Sequence, residues 1–248
     1  MLALLFAALV SAAPPVAEVW AQGECPRSQA VAASNTEMKL EQRQRAECLR
    51  KAMDRTLARL LRPLEKSQPG VHAEWKALQE DYLRWVEDVC TSAEEVHWVD
   101  LTLGERSIGT GYGLTESVCL QRQFAWRGYS AALWARGEGK ALGRVLEPLG
   151  EPALKARRRL EEYQARVQHA VGRVSTRNKG LPSRQLSREE WAPYTARLER
   201  VAAGPEALAR RQCALLPRPP AECVERLADG LWVQLSLSEV LGGTDSAP

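Results

Sequence analysis

The sequence predicts an all-α protein: a disulfide-stapled helical bundle with one long glycine-containing loop and further helices toward the C-terminal end. Three observations carry that expectation. Apolar residues recur at spacings of three and four through most of the chain, and no stretch alternates apolar and polar residues as a half-buried strand would. Six cysteines follow a short apolar N-terminal run. With 248 residues, 45% hydrophobic and 26% charged, the chain can bury a real core in one or two domains and lacks the composition of a disordered protein.

Taken in order, the first element is the apolar run from Leu2 to Ala13. It is long enough for the hydrophobic region of a signal peptide and short of the roughly 20 residues that a membrane span needs. Residues 1–21 are therefore expected to be a signal peptide, and the protein to be extracytoplasmic, in the periplasm or secreted, with no membrane span. Small residues suited to cleavage occur at Val10-Ser11-Ala12 and at Val19-Trp20-Ala21. Cleavage after Ala21 is preferred, because it leaves Gln22 as the mature start without the Pro14-Pro15 pair at its head. One part expected of a signal peptide is missing, since no Lys or Arg precedes the apolar run. Cys25 follows Gly23-Glu24 and not small residues closing the apolar run, so a lipid anchor on that cysteine is not expected.

Ser34, with Glu37 three residues on, reads as a capping box at a helix start. The stripe Leu49, Met53, Leu57, Leu60, Leu61 and Leu64 follows. A second stripe, Trp75, Leu78, Tyr82, Trp85, Val86 and Val89, marks a helix from about Val71 to Cys90, with Glu74, Lys76, Glu80, Asp81 and Arg84 lying largely off that face. Its aromatics are read as core side chains in preference to a platform for a sugar ring. Residues Ser92 to Thr115, with Gly104, Gly109, Gly111 and Gly113, read as a loop. Leu160, Tyr163, Val167, Val171 and Val174 form the next stripe. Residues Ser175 to Ser187, with Gly180-Leu181-Pro182, form a second loop. Ser187 with Glu190 repeats the capping box, with Leu186 and Trp191 as a hydrophobic staple for a helix starting near Arg188. The last stripe is Cys223, Val224, Leu227, Leu231 and Leu235.

Exported thiols are usually oxidised. Of the fifteen possible pairings of six cysteines, sequential pairing asks the least of the chain: Cys25 with Cys48, Cys90 with Cys119, and Cys213 with Cys223. The second would close the glycine-bearing loop and stabilise the fold by roughly 2 to 4 kcal/mol. The third would staple a turn containing Pro217, Pro219 and Pro220.

Charge and motifs narrow the function classes. The net charge of +3 becomes +4 without residues 1–21, which hold only Glu18, and that is too mild to argue for nucleic acid. Lys155-Ala-Arg157-Arg158-Arg159 runs straight into Glu161 and Glu162, as a solvated mixed-sign helix face does. His72, His97 and His169 are scattered, with no H-E-x-x-H and no C-x-x-C, so no metal or cofactor is expected. Gly109-Thr-Gly111-Tyr-Gly113 lacks the Lys-Ser/Thr of a phosphate-binding loop, and no G-x-S-x-G occurs. No catalytic residue is proposed, and the chain is read as a non-enzyme.

Gln79, Tyr82, Trp85, Glu87 and Cys90 follow the pattern Q-x-x-W-x-x-Y-R-D-x-x-C with similar residue types. Cys119-Leu120 followed by Arg127 matches C-L-x-x-x-T-x-x-R, and Cys48 followed by Asp54 and Leu57 looks like C-x-x-x-x-x-x-D-x-x-L with one residue fewer before the aspartate. Together these make residues 25–135 resemble the LprI-type, lysozyme-inhibitor-like family of bacterial envelope proteins. The chain departs from the pattern in several places. Tyr82 and Trp85 exchange the aromatic types, Val86 stands for the motif arginine, Glu87 for its aspartate and Phe124 for its threonine.

The resemblance implies a small, exported, cysteine-stapled helical domain without a known catalytic site, in a family named for lysozyme inhibition by a member. Residues 22–138 would form that domain and residues 139–248 a C-terminal helical region, either a degenerate second copy or a simple extension. The functional expectation is a binding protein with a protein partner, a lysozyme-like muramidase being the candidate the resemblance suggests, to which the loop would present Trp98, Asp100, Glu105 and Tyr112. A positive chain gains no steering toward a basic lysozyme, but Glu94-Glu95 with Asp100 supply local acidic charge. The alternative is a structural or protein-interaction module of the envelope without inhibitory activity. Arg127 is expected to pair with a carboxylate such as Glu87, or else to contact a ligand.

Overall fold

Two helix starts fall where their capping residues, Ser34 and Ser187, put them. In the computed structural model, which describes residues 15–28, 32–135, 150–174, 186–216 and 221–236, seven helices occur among the described residues. They are α1 (Pro15–Glu24), α2 (Asn35–Ser67), α3 (Pro69–Val96), α4 (Leu114–Ala135), α5 (Gly150–Arg173), α6 (Arg188–Ala214) and α7 (Cys223–Ser236). Ser34 accepts from the Glu37 amide at 3.2 Å, while the Glu37 carboxylate reaches one residue further back, to the Ala33 amide at 2.7 Å. At Ser187 both halves of the capping box close, 3.3 Å from the Glu190 amide and 2.7 Å to the Glu190 carboxylate. Those bonds hold the Glu190 carboxyl below its ordinary pKa. The apolar run Leu2–Ala13, Gly180-Leu181-Pro182 and Pro217, Pro219 and Pro220 lie outside the described residues.

The stripes become one hydrophobic core that runs from α1 to α7. Leu49, Ala52, Met53, Leu57 and Leu61 bury the inner face of α2, which packs along α4. Trp75, Leu78, Tyr82, Trp85, Val86 and Val89 are all buried on α3, as helical spacing required. Leu160, Tyr163 and Val167 of α5, and Trp191, Tyr194, Leu198 and Val201 of α6, extend the core into the second half. The Tyr163 and Tyr194 hydroxyls hydrogen-bond to each other inside it.

The two halves meet where α3 lies against α6. The Trp85 indole donates to the Val201 carbonyl at 3.1 Å. It fits because residue 204 is glycine: a Cβ there would stand 2.0 Å from the indole ring. Beside this contact the Arg200 guanidinium forks onto Asp88 at 2.8 and 2.9 Å, and Arg211 pairs with Asp81.

Helix α1 belongs to the same body. Ala17 and Ala21 are buried, and Trp20 sits where a Cβ at Gly128 of α4 would come within 2.2 Å of its ring. Glu18 accepts from the largely buried Arg45 of α2 at 3.1 Å; Arg45 also donates to the Cys25 carbonyl at 3.2 Å and to Gln121 at 2.7 Å. A cut after Ala21 would thus pass through a packed helix and strip Arg45 of its carboxylate.

All six cysteines pair, and sequentially: Cys25–Cys48, Cys90–Cys119 and Cys213–Cys223. The first ties the end of α1 to α2, the second joins α3 to α4, and the third joins α6 to α7. The expectation of no sheet needs one correction. Val99–Asp100 and Glu105–Arg106 pair antiparallel as a two-residue ribbon inside the loop. Two residues per strand leave too little chain for an alternating pattern to register.

Candidate functional site

The loop after α3 is shorter and better ordered than glycine content suggests. Helix α3 continues to Val96 and α4 begins at Leu114, leaving residues 97–113 between them. The ribbon turns at Gly104, whose φ of +68° is readily adopted only by glycine. The Asp100 carboxylate accepts from the Thr102 and Leu103 amides at 2.7 and 3.0 Å, which closes the turn.

Two carboxylates at the end of α3 bracket the loop. Glu94 is 1% exposed. It accepts from the Trp98 indole at 2.6 Å, the Gly113 amide at 2.7 Å and the Glu116 amide at 2.9 Å. One buried carboxylate therefore fixes the start of the loop and caps the first turn of α4, where the helix dipole favours negative charge. Glu95 pairs with Arg106 of the loop at 3.2 Å and with Arg197 of α6 at 2.5 Å. From the second half, Arg173 donates to the Leu101 carbonyl at 2.6 Å and the Leu186 amide to the Gly104 carbonyl at 2.9 Å. Cys90–Cys119 closes the base. The loop is held on every side.

Of the four residues expected to face a partner, Asp100 is exposed, whereas Trp98, Glu105 and Tyr112 are half-buried. Trp98 covers Gly109, where a Cβ would meet its ring at 2.8 Å, and lies 6.1 Å from the Tyr112 ring. Arg106 sits over that same ring and donates to the Tyr112 hydroxyl at 3.2 Å. These aromatics build the loop from within. Beside the exposed polar side chains of His97, Asp100, Thr102, Ser107 and Thr110, it turns outward two large apolar ones that the sequence did not mark, Leu103 at 58% and Ile108 at 60% exposure. No periodicity marks an outward residue in a loop, so the sequence held no signal for them.

The acidic run requires correction. Glu94 and Glu95 are buried and fully engaged, so of that group only Asp100 offers its charge to solvent. The expected partner of Arg127 is also corrected. Glu87 faces solvent, and Arg127 donates instead to Gln79 at 3.2 Å and Gln212 at 2.9 Å, with its guanidinium 4.7 Å above the Tyr82 ring.

No family model, curated protein or solved structure matches the chain. Among the described residues, no group of three His, Cys, Asp or Glu side chains could hold a metal ion. No described helix is long and apolar enough to cross a membrane.

Proposed function

We propose that the protein is an exported, non-enzymatic binding protein of the bacterial envelope, with the loop 97–113 as its binding face. The observation that carries this reading is the bracketing of the loop by Glu94, Glu95 and Cys90–Cys119, with Leu103 and Ile108 held outward. A surface fixed in advance loses little conformational freedom on binding, and that favours recognition. Resemblance to the LprI-type family makes a lysozyme-like muramidase the first partner to test. Titrating the purified protein into a muramidase assay should give saturable inhibition. Activity unchanged at high micromolar excess rejects this partner for the enzyme tested.

A second reading, an interaction module without inhibitory activity, gains support from the internal use of Glu94 and Glu95. With those charges spent inside the fold, the loop offers Leu103 and Ile108 among the neutral side chains of Thr102, Ser107 and Thr110, with Asp100 exposed and Glu105 half-buried, and suits a neutral protein surface better than a basic enzyme. Recovery of one envelope protein by loop-dependent pull-down, alongside an inactive muramidase titration, would favour it.

A further inference from the structure

A buried cation without a counter-ion marks a second site, well away from the loop. Arg127 lies 13 residues into α4, about 20 Å from the loop end of that helix at 1.5 Å per residue. Among the described residues no carboxylate pairs with it, and its Nη2 atom is buried with no hydrogen-bond partner. Arg45, the other deeply placed arginine of α2 and α4, has Glu18. The groups that do meet Arg127, Gln79, Gln212 and the Tyr82 ring, are all neutral; a buried charge without an opposite charge is costly, and an anion at Nη2 would offset that cost.

The surroundings say what that something is. Arg127 lines a cavity between α2, α3, α4, α6 and α7, with Leu57, Leu78, Leu208, Leu227 and Leu231 among its apolar walls. The Ser130 hydroxyl, one turn along α4, lines it too and is buried without a partner. So does Gln234 of α7, whose Oε1 is likewise unpaired; turning that amide over presents its NH2 group instead. A Cβ added at Gly230, on the same wall, would meet nothing within 4 Å. The cavity holds about 40 Å³, room for about three water-sized centres, and it is part-open to solvent. Three heavy atoms are the size of a carboxylate head.

We infer that this cavity is a binding site for a small monocarboxylate bearing a short apolar group. Its head accepts from Arg127 Nη2 and the Ser130 hydroxyl, and its tail lies along the leucine walls toward the opening. A free organic acid and the carboxylate end of a peptide finishing in a small apolar residue offer the same chemistry. The inference is independent of the loop, and stands or falls without reference to any muramidase.

The test is thermal denaturation and tryptophan fluorescence of the full chain, since Trp75 and Trp126 line the cavity. Butyrate should raise the melting temperature saturably and change the fluorescence, while butyramide, its neutral isostere, should do neither. N-acetyl-Ala-Ala and its C-terminal amide separate the sources: tighter binding of the dipeptide acid than of butyrate assigns a chain end, and the reverse a free acid. Arg127→Met should abolish the response. Should that variant fail to fold, Ser130→Ala decides, because it removes only an unpartnered hydroxyl. It should melt no lower than the wild type and bind butyrate about 5- to 10-fold more weakly, the loss of one hydrogen bond. No saturable response of the wild type to either acid, an equal response to butyramide, or unchanged affinity in Ser130→Ala would overturn the inference.

Discussion

Tyr163 and Tyr194 place two phenols against each other in the interior. Burial pushes the Tyr163 pKa up to about 12, with the Tyr194 hydrogen bond and Arg166 opposing, and burial raises Tyr194 further still. Burial likewise raises Tyr82. In each case the folded state holds a proton that the unfolded chain releases near pH 10. The contribution to stability is therefore complete below about pH 10 and is lost as pH rises through the folded values, at about 1.4 kcal/mol per pH unit per tyrosine. Urea midpoints measured from pH 9 to 12 should fall steeply above about pH 10. Tyr194→Phe should make that fall shallower by about one tyrosine's share; an unchanged slope would remove Tyr194 from the account. The residues that order the loop act at the same scale. Glu94 is a single side chain, yet three donors from separate turns converge on it.

At the scale of elements, close helix packing depends on where side chains are absent. Gly204 admits the Trp85 indole to the backbone of α6, whereas a Cβ at Gly172 of α5 would meet nothing within 4 Å. Alanine is the better helix former by up to about 1 kcal/mol. Gly172→Ala should therefore stabilise the protein by a few tenths to about 1 kcal/mol. Gly204→Ala should destabilise it by about 2 kcal/mol or more, because α6 must move off α3. Denaturant midpoints of the two variants should shift in opposite directions, and a neutral Gly204→Ala would mean that Trp85 is not seated as described. The elements themselves were legible in the sequence. Stripes and caps are local patterns, and Ser34, Ser187 and the buried face of α3 all follow from spacings of three and four. The seating of Trp85 on Gly204 was not, because it joins positions more than a hundred residues apart. Nor was the internal use of Glu94 and Glu95, since two adjacent carboxylates read as solvent-facing until the donors around them are placed.

Across the whole molecule, the two halves share a core, and the N-terminal helix is one of its walls. Trp20 on Gly128 and Glu18 on Arg45 make residues 15–24 a working part of the body. Under the proposed export, cleavage would therefore fall at the earlier small-residue site, Val10-Ser11-Ala12, in place of Ala21. The intact mass of protein recovered from the periplasm or medium of an expressing bacterium should retain Glu18 and Trp20, and a mature chain starting at Gln22 would refute this. The same wholeness holds the proposed binding face in place, because the loop leans on Arg173, Leu186 and Arg197 from the second half. The most direct test of that face is muramidase titration and envelope pull-down with the wild type beside Leu103→Asp/Ile108→Asp, whose changed side chains are exposed and should leave the melting temperature unaltered. The account predicts that the wild type engages a partner in at least one of the two assays and that the double variant, equally stable, does not. Equal engagement by a well-folded double variant, or no partner for the wild type in either assay, would contradict it.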